Sequence, residues 1–223
     1  YSGGKPCKVV KIATDITASK LKSAEDAGKL DAISRVQAVI EFTPAGEILT
    51  ANQNFLSTLG YQMSEIQGRH HSMFCDPSYT RSEDYRRFWA DLSGGYAQSD
   101  DFMRIGKGGK QVWIQASYNP IYDMNGKVFK VVKFATDVTA RVNAVDALAH
   151  GLTELAHGNL DQSVDTAFPA NMEKLRSDFN SSVSRLRDAM RDVGRNASAI
   201  AAGACEILSA AVDLSNRTEM QAA

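Results

Sequence analysis

The spacing of apolar and polar positions divides the chain into two regions. From residue 38 to residue 138, apolar residues mostly alternate with polar ones, as in half-buried strands, with short interruptions of helical spacing. Residues 38–43 read as a strand, Pro44-Ala45-Gly46 as a turn and residues 47–50 as the partner strand. Residues 52–59 read as a helix with Phe55, Leu56 and Leu59 on one face, closed by Gly60. Residues 64–66 form another helical turn, ended by Gly68. Ser82 caps a helix that presents Tyr85, Phe88, Trp89 and Leu92 and stops at Gly94-Gly95. Three strands follow at 101–105, 111–122 and 128–138, joined at Gly108-Gly109 and Asn125-Gly126. The order β-β-α-α-α-β-β-β predicts one five-stranded antiparallel sheet with its helices gathered on one side.

After Thr139 the spacing becomes three and four. Val145, Leu148, Leu152 and Leu155 form a helical seam, and Gly158-Asn159-Leu160 breaks it. Val164, Phe168 and Pro169 sit in an irregular connector, and Met172, Leu175 and Phe179 start a second seam. The second seam continues in sevens through Leu186, Val193, Ile200, Ile207 and Leu214. Its companion series is Val183, Met190, Ala197, Ala204, Ala211 and Thr218. One helix cannot bury such a seam alone, so a dimer or a four-helix bundle is expected.

A repeat marks a domain edge. The fifteen residues 4–18 recur at 126–140 with eleven identities, at an offset of 122. Each copy is a Gly turn, a β-branched strand and Asp-x-Thr, with Thr17 and Thr139 placed to cap a helix. The reading is that 1–17 is the last strand of a preceding, truncated domain. Residues 18–37 then form a linker helix, 38–140 a complete α+β domain, 141–192 a helical module and 193–223 the start of a long coiled coil.

Composition narrows the chemistry. Lys+Arg is 25 and Asp+Glu 26, for a net charge of −1, with no long run of one sign, so nothing points to nucleic acid. Cys7, Cys75 and Cys205 are far apart and odd in number, which argues against a disulfide framework or a metal clip and fits a reducing, cytoplasmic setting. No apolar run approaches the roughly 20 residues needed to cross a bilayer, so no membrane contact is expected. The chain opens at Tyr1 and reads as a fragment, so the lack of a signal segment says little of any parent. Hydrolase, P-loop, dinucleotide and zinc-protease motifs are absent, so no enzyme is expected.

The order of elements resembles a PAS domain. The residues that carry the resemblance are Asn52-Gln53-Asn54-Phe55, Leu59-Gly60-Tyr61, the run from Glu65 to Phe74, Tyr85 with Phe88-Trp89, the run from Gly109 to Ile121, and Asp137-Val138-Thr139. It is most similar to cytoplasmic PAS domains of bacterial energy-taxis and biofilm-dispersion receptors. Gly158-Asn159-Leu160, Phe168-Pro169 and the run Leu175 to Asn180 resemble a HAMP-like module. The end, Asp213 to Ala223, resembles the start of the methylation helix of methyl-accepting chemotaxis proteins. The resemblance implies a homodimer, assembled as trimers of dimers in a full receptor, that controls a histidine kinase through an adaptor. Gln221 aligns with a methylated position, although Met220 stands where Glu or Gln is usual and Gln221 falls on the projected seam.

The resemblance also frames the candidate site. His70 and His71 lie at the mouth of the expected pocket, where one neutral imidazole can ligate haem iron. Neighbouring helical residues point about 100° apart, so one of them faces inward, and His71 is favoured because Met73 and Phe74 follow it. The alternative is a packed or surface histidine. Related receptor domains carry haem b, others carry FAD, and many PAS domains bind nothing. Trp113, Gln115 and Ser117 share one face of a strand. If that face meets the pocket, Trp113 flanks a planar cofactor and Gln115 hydrogen-bonds it, with Asn119 placed in the same set. Otherwise Trp113 is core or dimer packing. Cys75 lacks the surrounding motif of photoactive flavin domains and reads as a small buried residue. Asp137 and Thr139 mark the junction through which a change in the pocket, caused by a small ligand, a gas or redox state, reaches the helices. The competing readings are a ligand-free PAS domain that serves as a dimerisation wedge and a PAS-linked kinase or cyclase. The Asp-Leu-Ser-x-Arg-Thr-Glu ending argues against the latter.

Overall fold

The structure is a computed structural model that describes residues 10–11 and 14–222. It divides into two units, Tyr1–Val138 and Thr139–Ala223. The strand expected within 1–17 lies almost wholly outside the described residues.

The first unit opens with helix α1, Thr17–Val36, which has no buried residue of its own. Strands β1, Ala38–Phe42, and β2, Ile48–Ala51, form a hairpin. Helices α2, Gln53–Leu59, α3, Met63–Ile66, α4, Pro77–Thr80, and α5, Glu83–Ser93, follow, with a 3-10 turn at His71–Phe74 between α3 and α4. Strands β3, Gln98–Ile105, β4, Gln111–Tyr122, and β5, Val128–Asp137, complete an antiparallel sheet in the order β2-β1-β5-β4-β3.

Local chemistry sets the element ends. Asn52 caps α2 by accepting from Phe55 N, and Gly60 closes it at φ 78, a left-handed conformation that suits glycine. Ser82 caps α5 by accepting from Tyr85 N. Asn52 also accepts from Val39 N at 2.9 Å and donates to Ser34 O at 2.9 Å and Gln37 O at 2.8 Å. One side chain therefore ties the end of α1, the start of β1 and the start of α2 together.

Period-2 alternation selects the core. Ile40 and Phe42, then Val112, Ile114, Ala116 and Tyr118, then Val131 and Ala135 are buried on one sheet face. Phe55, Leu59, Phe74, Phe88 and Leu92 from the short helices cover them. The C-terminal part of α1 lies by the other sheet face: Ile33, Val36 and Gln37 line a cleft there with Gln115, Ser117 and Phe134. The one-sided arrangement therefore holds for α2 to α5 and not for α1.

The second unit contains α6, Thr139–Ala156, and α7, Glu173–Ala222, joined by residues 157–172. Ala144, Val164 and Phe168 form its small core, with Leu148, Met172 and Phe179 packed on it. A Cβ on Gly151 would come within 2.7 Å of the Phe179 ring, so α6 needs glycine at that crossing. Asn180 holds the connector by both ends of one residue: Val164 N donates to Asn180 Oδ1 at 2.9 Å and Asn180 Nδ2 donates to Val164 O at 3.1 Å. Arg176 Nη1 donates to the same carbonyl at 2.9 Å. Farther along α7, Met190, Val193, Ile200, Ile207 and Leu214 are exposed.

One helix bears on the membrane expectation. Within Glu173–Thr218, α7 is long and apolar enough to cross a membrane by length and composition. Its alanines at 197, 199, 201, 202 and 204 raise the mean hydropathy of a stretch that contains no unbroken apolar run of that length. Glu206 and Asp213 fall in the same helix, and its large apolar residues keep the seven-residue repeat of a helix–helix seam.

Candidate functional site

The two histidines occupy different environments. His70 precedes the 3-10 turn and caps it: its Nδ1 accepts from Ser72 N at 3.1 Å, and its Nε2 lies 2.9 Å from Ala45 O. A ring nitrogen that accepts at Nδ1 carries its proton on Nε2, so Nε2 donates to that carbonyl. Gly46 beside it has φ +88, and a Cβ there would lie 2.6 Å from His70 Nε2. His70 thus pins the β1–β2 turn to the 3-10 turn, with both nitrogens in use.

His71 is fully buried, at 0% exposure. Its ring stacks on Tyr85 and meets Phe42, Trp89 and Tyr118 edge-on, with centroids 5.4–5.9 Å away. Its Nδ1 lies 2.9 Å from Tyr85 Oη and its Nε2 2.9 Å from Tyr118 Oη. Burial holds its pKa well below the usual histidine value, and the charges of Arg104 and Lys133 push the same way, so the ring is neutral. Arg104 Nη2 donates to Tyr118 Oη at 3.2 Å. The Tyr118 hydroxyl proton is then directed to His71 Nε2, and the imidazole proton resides on Nδ1 and is donated to Tyr85. Cys75 Sγ lies 3.6 Å from the same Nδ1, and burial raises its thiol pKa.

Two buried basic side chains stand over this chain of hydrogen bonds. Lys133 is 1% exposed and Arg104 3% exposed. Lys133 is the register partner of both Ile40 and Tyr118, which places it in the middle of the central strand. Its Nζ lies over the Tyr118 ring, 4.6 Å from the centroid, and 5.9 Å from that of Phe55. Burial and then Arg104 depress its pKa well below the usual lysine value. Arg104 rests on the Phe102 ring at 4.6 Å, donates to Met103 O at 2.8 Å, and has a buried Nε without a hydrogen-bond partner. Burial raises the Tyr118 hydroxyl pKa to about 12.

The other expected cofactor residues lie elsewhere. Val112, Ile114, Ala116 and Tyr118 take the inward positions of β4, so Trp113, Gln115 and Asn119 fall on the opposite face. Gln115 is exposed and lines the cleft near α1. Asn119 Nδ2 donates to Ser117 O at 3.3 Å and to Val132 O at 3.4 Å. The condition under which Trp113 and Gln115 flank a cofactor in the core is therefore not met, because the apolar parity of β4 faces the helices. Asp137 ends β5, and Thr139 begins α6. The methylation expected at Gln221 concerns a side chain outside the described residues. Among the described residues no cluster of three or more His, Cys, Asp or Glu side chains is placed to hold a metal.

Haem ligation by His71 does not fit this arrangement, because each ring nitrogen is engaged by a tyrosine hydroxyl and aromatic rings fill the space around it. Arg104 and Lys133 were not singled out in the sequence. Their strand parity, shared with Phe102 and with Val131 and Ala135, is the signal that places them inward.

The sheet order, the run of short helices and the buried cluster define an α+β domain with α2 to α5 packed on one face of its sheet. Residues 48–135 match the sequence family described as PAS fold, and the chain carries a PAS domain followed by a long C-terminal helix. Over 146 residues, 66% of the chain, it is 44% identical to the biofilm dispersion protein BdlA of Pseudomonas aeruginosa, of which it covers 35%. Over 101 residues, 45% of the chain, it is 26% identical to the oxygen sensor protein DosP of Escherichia coli, of which it covers 13%. The PAS domain of a Colwellia psychrerythraea protein superposes with a TM-score of 0.46 at 21% identity, covering 52% of this chain and 98% of that one.

Proposed function

We propose that the chain is the sensory and signal-transmitting portion of a bacterial chemoreceptor. The observation that carries this reading is the direct succession, within one chain, of a PAS domain, a two-helix unit with a pinned connector, and a helix with an exposed seven-residue seam. The 44% identity to BdlA over 146 residues supports it. A small ligand, gas or redox change at the His71–Tyr118 cluster alters the strain on β5, of which Lys133 is part. Because β5 is followed after Val138 by α6, that strain biases two packings of the HAMP-like helices, and a coupling of only about 1–3 kcal/mol suffices. The exposed seam of α7 is covered by a second copy of the chain, and the dimer governs a histidine kinase through an adaptor in the cytoplasm. No catalytic step is assigned to the chain itself.

DosP is an oxygen sensor by name, which keeps haem b among the cofactors to be tested, with FAD as the alternative. Haem on His71 requires one tyrosine hydrogen bond to break, so reconstitution followed by absorption spectra of His71→Ala and the native chain decides that point. The function is tested at the junction. In the full-length receptor, Asp137→Asn and Thr139→Ala should uncouple kinase output from stimulus while the domain stays folded and binds as before. Normal signalling by both variants overturns the proposal.

A further inference from the structure

We propose that the PAS core binds a small organic monocarboxylate, with Arg104 and Lys133 as its charge partners. The proposal deepens the sensory reading above by naming the chemical class of the ligand.

A buried charge is expensive unless it is paired. This core buries Arg104 and Lys133 at 3% and 1% exposure. The titratable groups that act on Arg104 are Tyr118, Cys75 and Tyr79, and those that act on Lys133 are Arg104 and Cys75, with no carboxylate among them. The ion pairs nearby in sequence, Lys130 with Glu41 and Lys107 with Glu65, use other cations. The domain thus keeps two basic side chains in its interior, and among the described residues no carboxylate pairs with either; a bound anion would hold Lys133 in its charged form.

The donors available are those a carboxylate uses. Arg104 Nε has no partner, and Tyr118 and Tyr85 add hydroxyls arranged around the neutral His71. The walls are aromatic, with Phe102 edge-on to Phe88 and Tyr118. Such walls suit an organic acid and are poorly matched to a strongly hydrated inorganic anion. Phe102 is half-buried, carries Arg104 on its ring and lines a cleft of about 250 Å³ outside it. Phe102 separates the cleft from Arg104, so entry of the acid requires that ring to swing outward. The cleft is lined by Asp84, Asp91 and Asp100 against Arg87, so it disfavours anions in proportion to their charge, a dianion more than a monoanion.

The test uses the whole chain. Its melting temperature is recorded with sodium formate, acetate, benzoate or hexanoate at about 20 mM, against sodium chloride of equal ionic strength and against benzamide, a neutral analogue of benzoate. At least one carboxylate should raise the melting temperature and benzamide should not. The bound acid's Kd, read by calorimetry, should weaken about tenfold or more in Lys133→Met and in Arg104→Gln. Should Arg104→Gln fail to fold, Lys133→Met alone carries the comparison, since its Nζ contacts described above are to rings. No shift with any of the four acids, an equal shift with benzamide, or unchanged affinity in Lys133→Met overturns the proposal. A carboxylate that binds as stated yet leaves receptor output unchanged refutes the sensory reading and leaves this one standing.

Discussion

Replacing Tyr118 with phenylalanine removes one oxygen and leaves the ring in place. In the native core that oxygen accepts from Arg104 Nη2 at 3.2 Å and donates to His71 Nε2 at 2.9 Å. Without it, a lone pair on a fully buried imidazole and an N–H on a guanidinium that already has one unpartnered nitrogen both go unsatisfied. Each orphaned group costs about 1–3 kcal/mol. The contacts of the ring to Phe88 and Lys133 persist, so no cavity cost is added. The sum is about 2–6 kcal/mol. For a folded domain of roughly 100 residues, each kcal/mol lowers the melting temperature by about 4–8 °C, so even the low end of that sum should make Tyr118→Phe melt at least about 8 °C below the native chain. Near-ultraviolet circular dichroism follows the first unit specifically, because both tryptophans, Trp89 and Trp113, belong to it. A double-mutant cycle with His71→Leu should show strong non-additivity, because the two side chains share one hydrogen bond. A melting temperature within about 2 °C of native would mean that the hydroxyl is not an obligatory link, and the proton arrangement assigned to His71 would fall with it.

Two further outcomes are expected. The depressed pKa of His71 means that the unfolded chain, with a histidine near pH 6.5, takes up the proton first. Its contribution to stability is full above about pH 6.5 and is lost as pH falls below it, at up to about 1.4 kcal/mol per pH unit. Urea midpoints measured across that range should slope more steeply in the native chain than in His71→Gln, and equal slopes refute the assignment. Val193→Asp places a charge on the exposed seam of α7 and should convert a dimer to monomer in analytical ultracentrifugation without altering the melting of the first unit; an undisturbed dimer would show that the seam is not the contact.

The strands were legible because nearly every strand of the sheet obeys an alternation that hydrophobicity alone reveals. The caps of α2 and α5 were legible for a different reason: Gly60 and Ser82 have few alternative uses at their positions. The 3-10 turn at His71–Phe74 and the four-residue α4 were missed, since segments that short have no period to detect. The inward face of β4 was readable in principle. Val112, Ile114, Ala116 and Tyr118 form the more apolar set, but the bulk of Trp113 drew attention to the other parity. Lys133 and Arg104 are hidden from a reading of hydrophobicity alone. Rules that send charged residues to the surface are reliable except where a site holds them inside. The partners of His71 were beyond reach, because Tyr85 and Tyr118 lie 14 and 47 residues away and only the tertiary fold brings them together.

The double hydrogen bond from Asn180 to Val164 restricts how the second unit can move. A side chain that grips both the amide and the carbonyl of one residue behaves as a keyed joint. Advancing α7 by one residue against the connector would present Asn180 to the wrong peptide group and break both bonds at once. Translation along the helix axis is therefore a forbidden coordinate near this end of α7, whereas rotation about the axis, with the connector carried along, keeps the joint intact. In the receptor proposed above, a signal that passes this point travels as an angle and not as a length, and the exposed seam beyond it is read by which of its faces is turned toward a second copy.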